Sequence, residues 1–104
     1  MSDVVTVTTT FGSAEEAEEM AAALVDAGLA ACAQVWPILS VYRWQGEIER
    51  AEEHRLEAKT LASTLPALET FIRERHSYEV PEIIAHATSF ASESYARWVE
   101  ENMG

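Results

Sequence analysis

The chain has 104 residues, 48% of them hydrophobic and 24% charged, and this predicts one globular domain over residues 1–104 with a single modest core. Its net charge of −11 argues against nucleic acid and anionic membranes as partners, because both select basic surfaces. No apolar run reaches the length of a membrane span, no signal-peptide pattern precedes Val4, and a lone Cys32 rules out an internal disulfide. These features together predict a cytoplasmic protein.

The N-terminal part of the chain predicts a strand followed by a helix. Residues 4–10 alternate Val and Thr, which is typical of a strand. Ser13 and Glu16 form a capping box, in which the Ser13 hydroxyl accepts a hydrogen bond from the helix and Glu16 reaches back to the cap. Apolar residues at helical spacing follow as far as Gly28, so we expect an amphipathic helix that ends there.

A second strand is predicted at residues 29–34 and continues through an apolar, β-prone run to Trp44. Pro37 interrupts this run, and the strand therefore bends, bulges or lies at a sheet edge at that point. Gln45 and Gly46 then supply a turn, because Gly adopts positive φ without steric cost.

The conformation of residues 48–60 is the main ambiguity of the sequence. Their Glu, Ala, Arg and Leu content favours a helix. Read with period two, however, Leu56, Ala58 and Thr60 share one face of a strand. Periodicity alone leaves the two interpretations close to even, and only the strand completes a long central hairpin.

The C-terminal part predicts a helix, a strand and a second helix. Ser63 is a plausible N-cap, with Pro66 in the first helical turn, where its missing N–H costs little. Residues 82–90 indicate a strand, and Ser92 or Ser94 starts the last helix. If the ambiguous segment is a strand, the order is βαββαβ plus a terminal helix, an α+β ferredoxin-like fold.

Several motifs in chain order resemble the CutA family of divalent-cation tolerance proteins. They lie at residues 29–32, 40–48, 59–60, 76–83 and 95–98. The resemblance implies a ferredoxin-like subunit in a tight homotrimer whose long hairpins pair between subunits, and it implies a strand for the ambiguous segment. It further implies a non-catalytic binding protein in the tolerance of divalent cations, copper among them.

The family resemblance also implies where a metal would bind. The family's ligands, a Cys near the end of the first strand and a His-His pair, fall on Thr9, Arg75 and His76, and only His76 is retained. Thr is a poor copper ligand and Arg is not one. A divalent cation, copper in the family, is thus the implied cofactor, but we expect this chain to bind copper weakly. Ser77 also stands where the family usually has Pro.

Other chemistry is conceivable around the same loop, which lines the intersubunit cleft in the family. His76 with Glu79 and Glu82 suits Zn, Ni or Cu, whereas a His at a helix C-terminus is stabilised there without any ligand. Arg75 and His76 could instead attract a small anionic ligand, a carboxylate or phosphate metabolite. The predicted ligand-binding residues of the cleft are Trp44, Lys59, Tyr78 and Glu82.

The remaining candidates have simpler structural explanations. Glu52, Glu53 and His54 could hold a cation, but a solvated charge run is favoured. His86 is expected in the core or an interface, and Cys32 as a buried structural residue. Lys59 either binds an anion or pairs with a neighbouring Glu. The aromatic residues of the hairpin are expected to anchor the trimer; they are Trp36, Tyr42 and Trp44.

Two further functions remain open. One is a trimeric small-molecule sensor resembling the PII signalling proteins, with its ligand between subunits. The other is an enzyme that uses His76 and Glu82 as acid and base on a small substrate. The chain lacks a Gly-rich phosphate loop, a Ser-His-Asp order and a Cys-x-x-Cys motif, which weighs against the enzyme.

Overall fold

The computed structural model describes residues 3–103 and has an α+β architecture, with one four-stranded antiparallel sheet and three α-helices. The predicted βαββαβ order with a terminal helix is confirmed. The elements are β1 (Val4–Phe11), α1 (Ala14–Asp26), β2 (Cys32–Trp44), β3 (Glu47–Leu61), α2 (Leu65–Arg75), β4 (Ile84–Ala87) and α3 (Glu93–Glu101). Within the described residues, no helix is both long and apolar enough to cross a membrane.

The main core lies between one face of the sheet and helices α1 and α2. Its buried members come from both layers: Val7, Phe11, Leu56 and Ala58 from the strands, and Ala17, Met20, Leu24, Leu68 and Ile72 from the helices. A smaller cluster packs Ala96 and Val99 of α3 against Val4 and Ala31. Burial of these apolar side chains is the main favourable term that holds the layers together.

Strand β3 resolves the ambiguity of residues 48–60 in favour of the strand. It lies second in the sheet order β2-β3-β1-β4, so its C-terminal half is hydrogen-bonded on both sides. Leu56, Ala58 and Thr60 are fully buried on the face that period two predicts. Burial of this face and hydrogen bonding to the two neighbouring strands outweigh helix propensities of a few tenths of a kcal/mol per residue. A helix would expose the three side chains and lose the hydrogen bonds to both strands.

The β2–β3 hairpin extends beyond the rest of the sheet. β1 reaches only as far as the Phe11–His54 pair, while β2 and β3 stay paired to the Trp44–Glu47 pair. We call this two-stranded extension, residues 38–53, the hairpin arm. β2 is an outer strand of the sheet, as one of the options for Pro37 predicts, because Pro lacks the N–H that a central strand needs.

The first helix is capped as predicted at its C-terminus and in part at its N-terminus. Ser13 Oγ accepts from the Glu16 N–H at 3.1 Å, but the Glu16 carboxylate binds Ser77 and does not reach back to the cap. Gly28, at φ 73°, completes the C-terminal cap, in which Gly28 N donates to Val25 O and Leu29 N donates to Leu24 O.

This cap corrects the predicted start of the second strand. The hydrogen bond from Leu29 keeps the chain folded back on α1, so β2 begins at Cys32 and not at residue 29.

The predicted strand at residues 82–90 is likewise too long. Only Ile84–Ala87 forms a strand, because these four residues are the ones that pair with β1. Among the described residues β4 has no second neighbouring strand that could extend it.

The other predicted helix starts are correct in part. Ser63 is not the N-cap of α2; it lies in a short 3₁₀ turn, and Thr64 occupies the cap without a side-chain hydrogen bond. Pro66 lies in the first turn of α2 as expected. Ser92 caps α3, with its hydroxyl accepting from Tyr95 N at 3.2 Å.

The turn of the arm yields a prediction on stability. Gln45 (φ 50°) and Gly46 (φ 85°) both lie in the left-handed region, as a two-residue type I′ hairpin requires. Because Asn tolerates positive φ better than Gln, we expect Gln45→Asn to raise the free energy of unfolding by about 0.5 kcal/mol. Gly46→Ala should lower it by about 1 kcal/mol for the same steric reason. Guanidinium unfolding at one protein concentration measures both, and a destabilising Gln45→Asn would contradict this account.

Candidate functional site

A cavity of about 580 Å³ lies between the hairpin arm and residues 76–83, which we call the cleft loop. Three aromatic and three acidic side chains line it: Tyr42, Trp44, Tyr78, Glu53, Glu79 and Glu82. The structure thereby brings together three of the four predicted ligand-binding residues, namely Trp44, Tyr78 and Glu82. The size is within the range of small-molecule sites in proteins.

A short hydrogen bond joins Tyr78 and Glu53, which both line this cavity. The Tyr78 hydroxyl donates to Glu53 Oε2 at 2.6 Å, and Glu53 is only 7% exposed. Burial raises the pKa of Tyr78, and the hydrogen bond to Glu53 and its negative charge raise it further. The phenol therefore keeps its proton at neutral pH and remains a donor.

The position of Glu53 corrects the interpretation of residues 52–54 as a solvated charge run. Glu52 is exposed, but Glu53 is buried and His54 half-buried. The reason is the cleft loop, which brings Tyr78 onto the arm from 25 positions further along the chain. No local pattern in the sequence predicts that contact.

His76 is held in a structural role at the end of α2. Its ring stacks on Phe11, with centroids 4.3 Å apart and planes 10° apart. Nδ1 accepts from the Tyr78 N–H at 3.1 Å, which assigns the ring proton to Nε2, and Nε2 donates to Thr10 O at 2.8 Å. Both ring nitrogens are thus bound to backbone groups of β1 and the cleft loop, so contacts other than attraction to the helix end hold this residue in place.

Ser77 ties the cleft loop to the start of α1. Its N–H and its hydroxyl donate to the two carboxylate oxygens of Glu16, at 3.2 and 3.0 Å. The resemblance implies a Pro at this position, and Pro has neither donor. Ser77 therefore makes a link between the cleft loop and α1 that a Pro could not make.

The two other positions that the resemblance assigns to metal ligands are occupied by packing residues. Thr9 is fully buried in β1 beside Leu56. The Arg75 guanidinium lies 3.6 Å from the ring centroid of Phe71 and donates to the Phe71 carbonyl. Over residues 3–103, no group of three or more His, Cys, Asp or Glu side chains is placed to hold a metal ion.

Lys59 does not line the cavity of the single chain, and its placement in a cleft between subunits stays a prediction. Its ammonium donates to Gln34 Oε1 at 3.0 Å and to Glu57 Oε1 at 3.1 Å. It is six residues along β3 from Glu53, a separation of about 20 Å in a strand. Pairing with a neighbouring Glu, the alternative to an anion site, is what the structure shows.

The remaining candidates lie outside the cavity. His86 is exposed on the outer strand β4, which excludes the core, while its alternative placement in an interface stays a prediction. Cys32 is half-buried at the start of β2, not fully buried, and it faces Tyr95, whose pKa is raised by burial first and by Cys32 next. The Arg55 guanidinium lies over the Trp36 ring, 5.8 Å from the ring centroid.

Comparison with protein families gives a match over most of the chain. Residues 5–102 match the model of the family described as CutA1 divalent ion tolerance protein. The divalent-cation tolerance protein CutA of Thermus thermophilus is 39% identical over 105 residues, and the alignment covers all of both chains.

Solved structures give the same result in three dimensions. CutA from Synechococcus elongatus superposes with a TM-score of 0.95 and 36% identity, over 100% of this chain and 93% of that one. The protein described as the periplasmic divalent cation tolerance protein CutA from Archaeoglobus fulgidus superposes with a TM-score of 0.94 and 31% identity, over 97% of this chain and 99% of that one.

The Tyr78–Glu53 contact predicts a pH-dependent contribution to stability. At pH about 7, Tyr78→Phe should lower the free energy of unfolding by about 1–2 kcal/mol, because it leaves a buried carboxylate without its donor. Since the folded state raises the pKa of Tyr78, the stabilisation is complete below pH about 10 and is lost as the pH rises through the raised value.

Guanidinium unfolding at pH about 7 and about 11, at one protein concentration, measures this contribution. The difference between wild type and Tyr78→Phe should be smaller at the higher pH. Tyr42→Phe is the control at pH about 7 only, because the Tyr42 hydroxyl makes no hydrogen bond within residues 3–103 but its charge helps to raise the pKa of Tyr78. A Tyr78→Phe chain as stable as the control at neutral pH would show that the contact contributes nothing.

Proposed function

Because the chain belongs to the family of CutA1 divalent ion tolerance proteins, we propose that it acts in divalent-cation tolerance as a cytoplasmic homotrimer that binds a ligand and catalyses no reaction. The observation that carries this proposal is the cavity between the hairpin arm and the cleft loop, beside an apolar arm that a single chain leaves uncovered. The names of the relatives support a role in tolerance. The ligand and the assembly are inferred from the geometry below.

The hairpin arm supports the assembly. Leu39 is 58% exposed and Ile48 66% exposed, and Val41 and Trp44 on the same arm are also exposed. The strand register places Leu39, Val41 and Ile48 on one face of the arm, and exposed apolar surface of this kind marks protein interfaces. The outer edge of β2 also has no strand partner within residues 3–103, and such an edge offers unpaired backbone groups to another chain.

The hydrogen bonds of His76 support a binding role over catalysis. An acid–base pair of His76 and Glu82 would need both groups at one substrate, but Glu82 lines the cavity and His76 does not. The imidazole is also bound to backbone groups at both nitrogens, so it is not free to transfer a proton.

The packing roles of Thr9 and Arg75 support a metal response that does not depend on tight copper capture in this cleft. A tight transition-metal site generally needs three well-placed ligands, and thiolate is the ligand that suits Cu(I). Of the three family positions, only His76 carries a possible ligand. The single half-buried Cys32 is consistent with a reducing cytoplasm.

The assembly is tested by multi-angle light scattering after gel filtration. We expect the wild type to have three times the chain mass of 11.5 kDa at micromolar concentration. Leu39→Glu with Ile48→Glu should yield monomers, because two charges would be buried in the interface. Val25→Glu, at an exposed apolar site on α1, is the control and should leave the mass unchanged. A wild-type mass equal to that of one chain would contradict the proposed assembly.

Calorimetry on the metal-free protein tests the metal inference. With Cu(I), Cu(II) and Zn(II) we expect no submicromolar site. Submicromolar copper binding that disappears in His76→Ala would restore the family's site and contradict our expectation. Tight binding of a nucleotide in the same assay would instead favour the PII-like sensor.

A further inference from the structure

One charged side chain of the sheet lacks the partner that its burial requires. Arg55 lies in the C-terminal half of β3 and is half-buried, and its Nε–H is shielded from solvent with no hydrogen-bond acceptor within residues 3–103. A buried donor in this state is costly. We propose that a carboxylate of a second copy of this chain binds the Arg55 guanidinium. This inference rests on the homotrimer of the proposed function and identifies a contact that orients its subunits.

Arg55 lies on the face of the sheet opposite α1 and α2, which we call the open face. The strand register places Thr10 and Trp36 on either side of it on this face. Leu56, the next residue, belongs to the core on the other face. Helix α3 covers the end of the open face that carries Val4. The position of Arg55 lies further along the sheet.

Large apolar side chains near Arg55 remain in water in a single chain. Trp36, whose ring lies under the guanidinium, is 38% exposed, and Ile84 on β4 is 46% exposed. The open face continues along the hairpin arm to Tyr42 and Trp44, which are also exposed. An Arg among exposed aromatic and aliphatic side chains is typical of the centre of a protein interface.

The carboxylates nearest to Arg55 along its own strand are engaged elsewhere. On the open face β3 carries Glu53, Arg55, Glu57 and Lys59 in turn, with alternating charge. Glu53 accepts from Tyr78, and Glu57 pairs with Lys59 at 3.1 Å. None of the ion pairs of the described chain includes Arg55. The acceptor that Arg55 needs must therefore come from outside the chain.

The surroundings of Arg55 favour a second copy over a small anion as the source of the carboxylate. Arg55 does not line the cavity of about 580 Å³, so a free anion at its guanidinium would lack the enclosing walls of a small-molecule site. The chain has 18 acidic residues against 7 Lys and Arg, so a second copy offers many carboxylates and few competing cations. Such charge complementarity fixes the orientation of partners more than it adds affinity.

Cross-linking of mixed assemblies tests the contact. Arg55→Lys places an amine at this position, and a carbodiimide couples an amine to a carboxylate in direct contact. Unlabelled and isotope-labelled chains of this variant are refolded together, so that links between subunits give hybrid peptides of one light and one heavy chain. We expect hybrids that contain position 55. The Lys59–Glu57 pair lies within one chain and is the internal control, which should give no hybrids.

Two results of this experiment would overturn the proposal. One is a position 55 linked only within its own chain. The other is an assembled variant in which the Lys59–Glu57 link forms and position 55 gives none. A wild-type monomer in light scattering contradicts the proposed function itself, whereas a trimer without hybrids at position 55 refutes this inference alone.

Charge reversal provides a second test that does not depend on cross-linking. Arg55→Glu should raise the protein concentration at which half of the chains are monomeric by at least about tenfold, because it opposes two carboxylates in the contact. Arg73→Glu is the matched control, since it makes the same change of charge at an exposed site on α2. Light scattering over a dilution series measures both. Equal effects in the two variants would show diffuse repulsion only and contradict the proposal.

Discussion

The double-sided pairing of β3 is the constraint on which the rest of this structure depends. Because the half of β3 that carries Leu56, Ala58 and Thr60 pairs with β1 and β2 at once, its register fixes both neighbours. β1 ends opposite His54, so everything beyond that residue must project as a two-stranded arm. Glu53 is the first residue of β3 past this point, and the cavity forms there.

The cleft loop is held over the base of the arm by a small set of polar contacts with separate roles. The Ser77–Glu16 contact fastens the loop to α1, and the two hydrogen bonds of His76 fasten it to β1 and set the direction of Tyr78. Tyr78 can then reach Glu53. His76, the one position where the resemblance implies a metal ligand and the chain has a possible one, thus supports the cleft loop and does not line the cavity.

Local signals predicted the helices and turns well where the chemistry is local. Ser13, Gly28 and Ser92 mark helix ends, because a side-chain oxygen or a positive φ satisfies backbone groups within the same turn. Errors arose where a distant partner competes. The Glu16 carboxylate accepts hydrogen bonds from Ser77 and does not bond to the helix cap. The length of β4 is limited by its contact with β1.

The sequence by itself determined the Gly46 turn, the α1 boundaries, the apolar face of β3 and the family resemblance, since each depends on residue type and close spacing. Only the tertiary structure decided that β3 is a strand, that Glu53 is buried and that Lys59 lies outside the cavity. The physical reason is the same in all three cases. Local propensities differ by tenths of a kcal/mol per residue, whereas pairing and burial depend on partners far away along the chain, such as Tyr78 for Glu53.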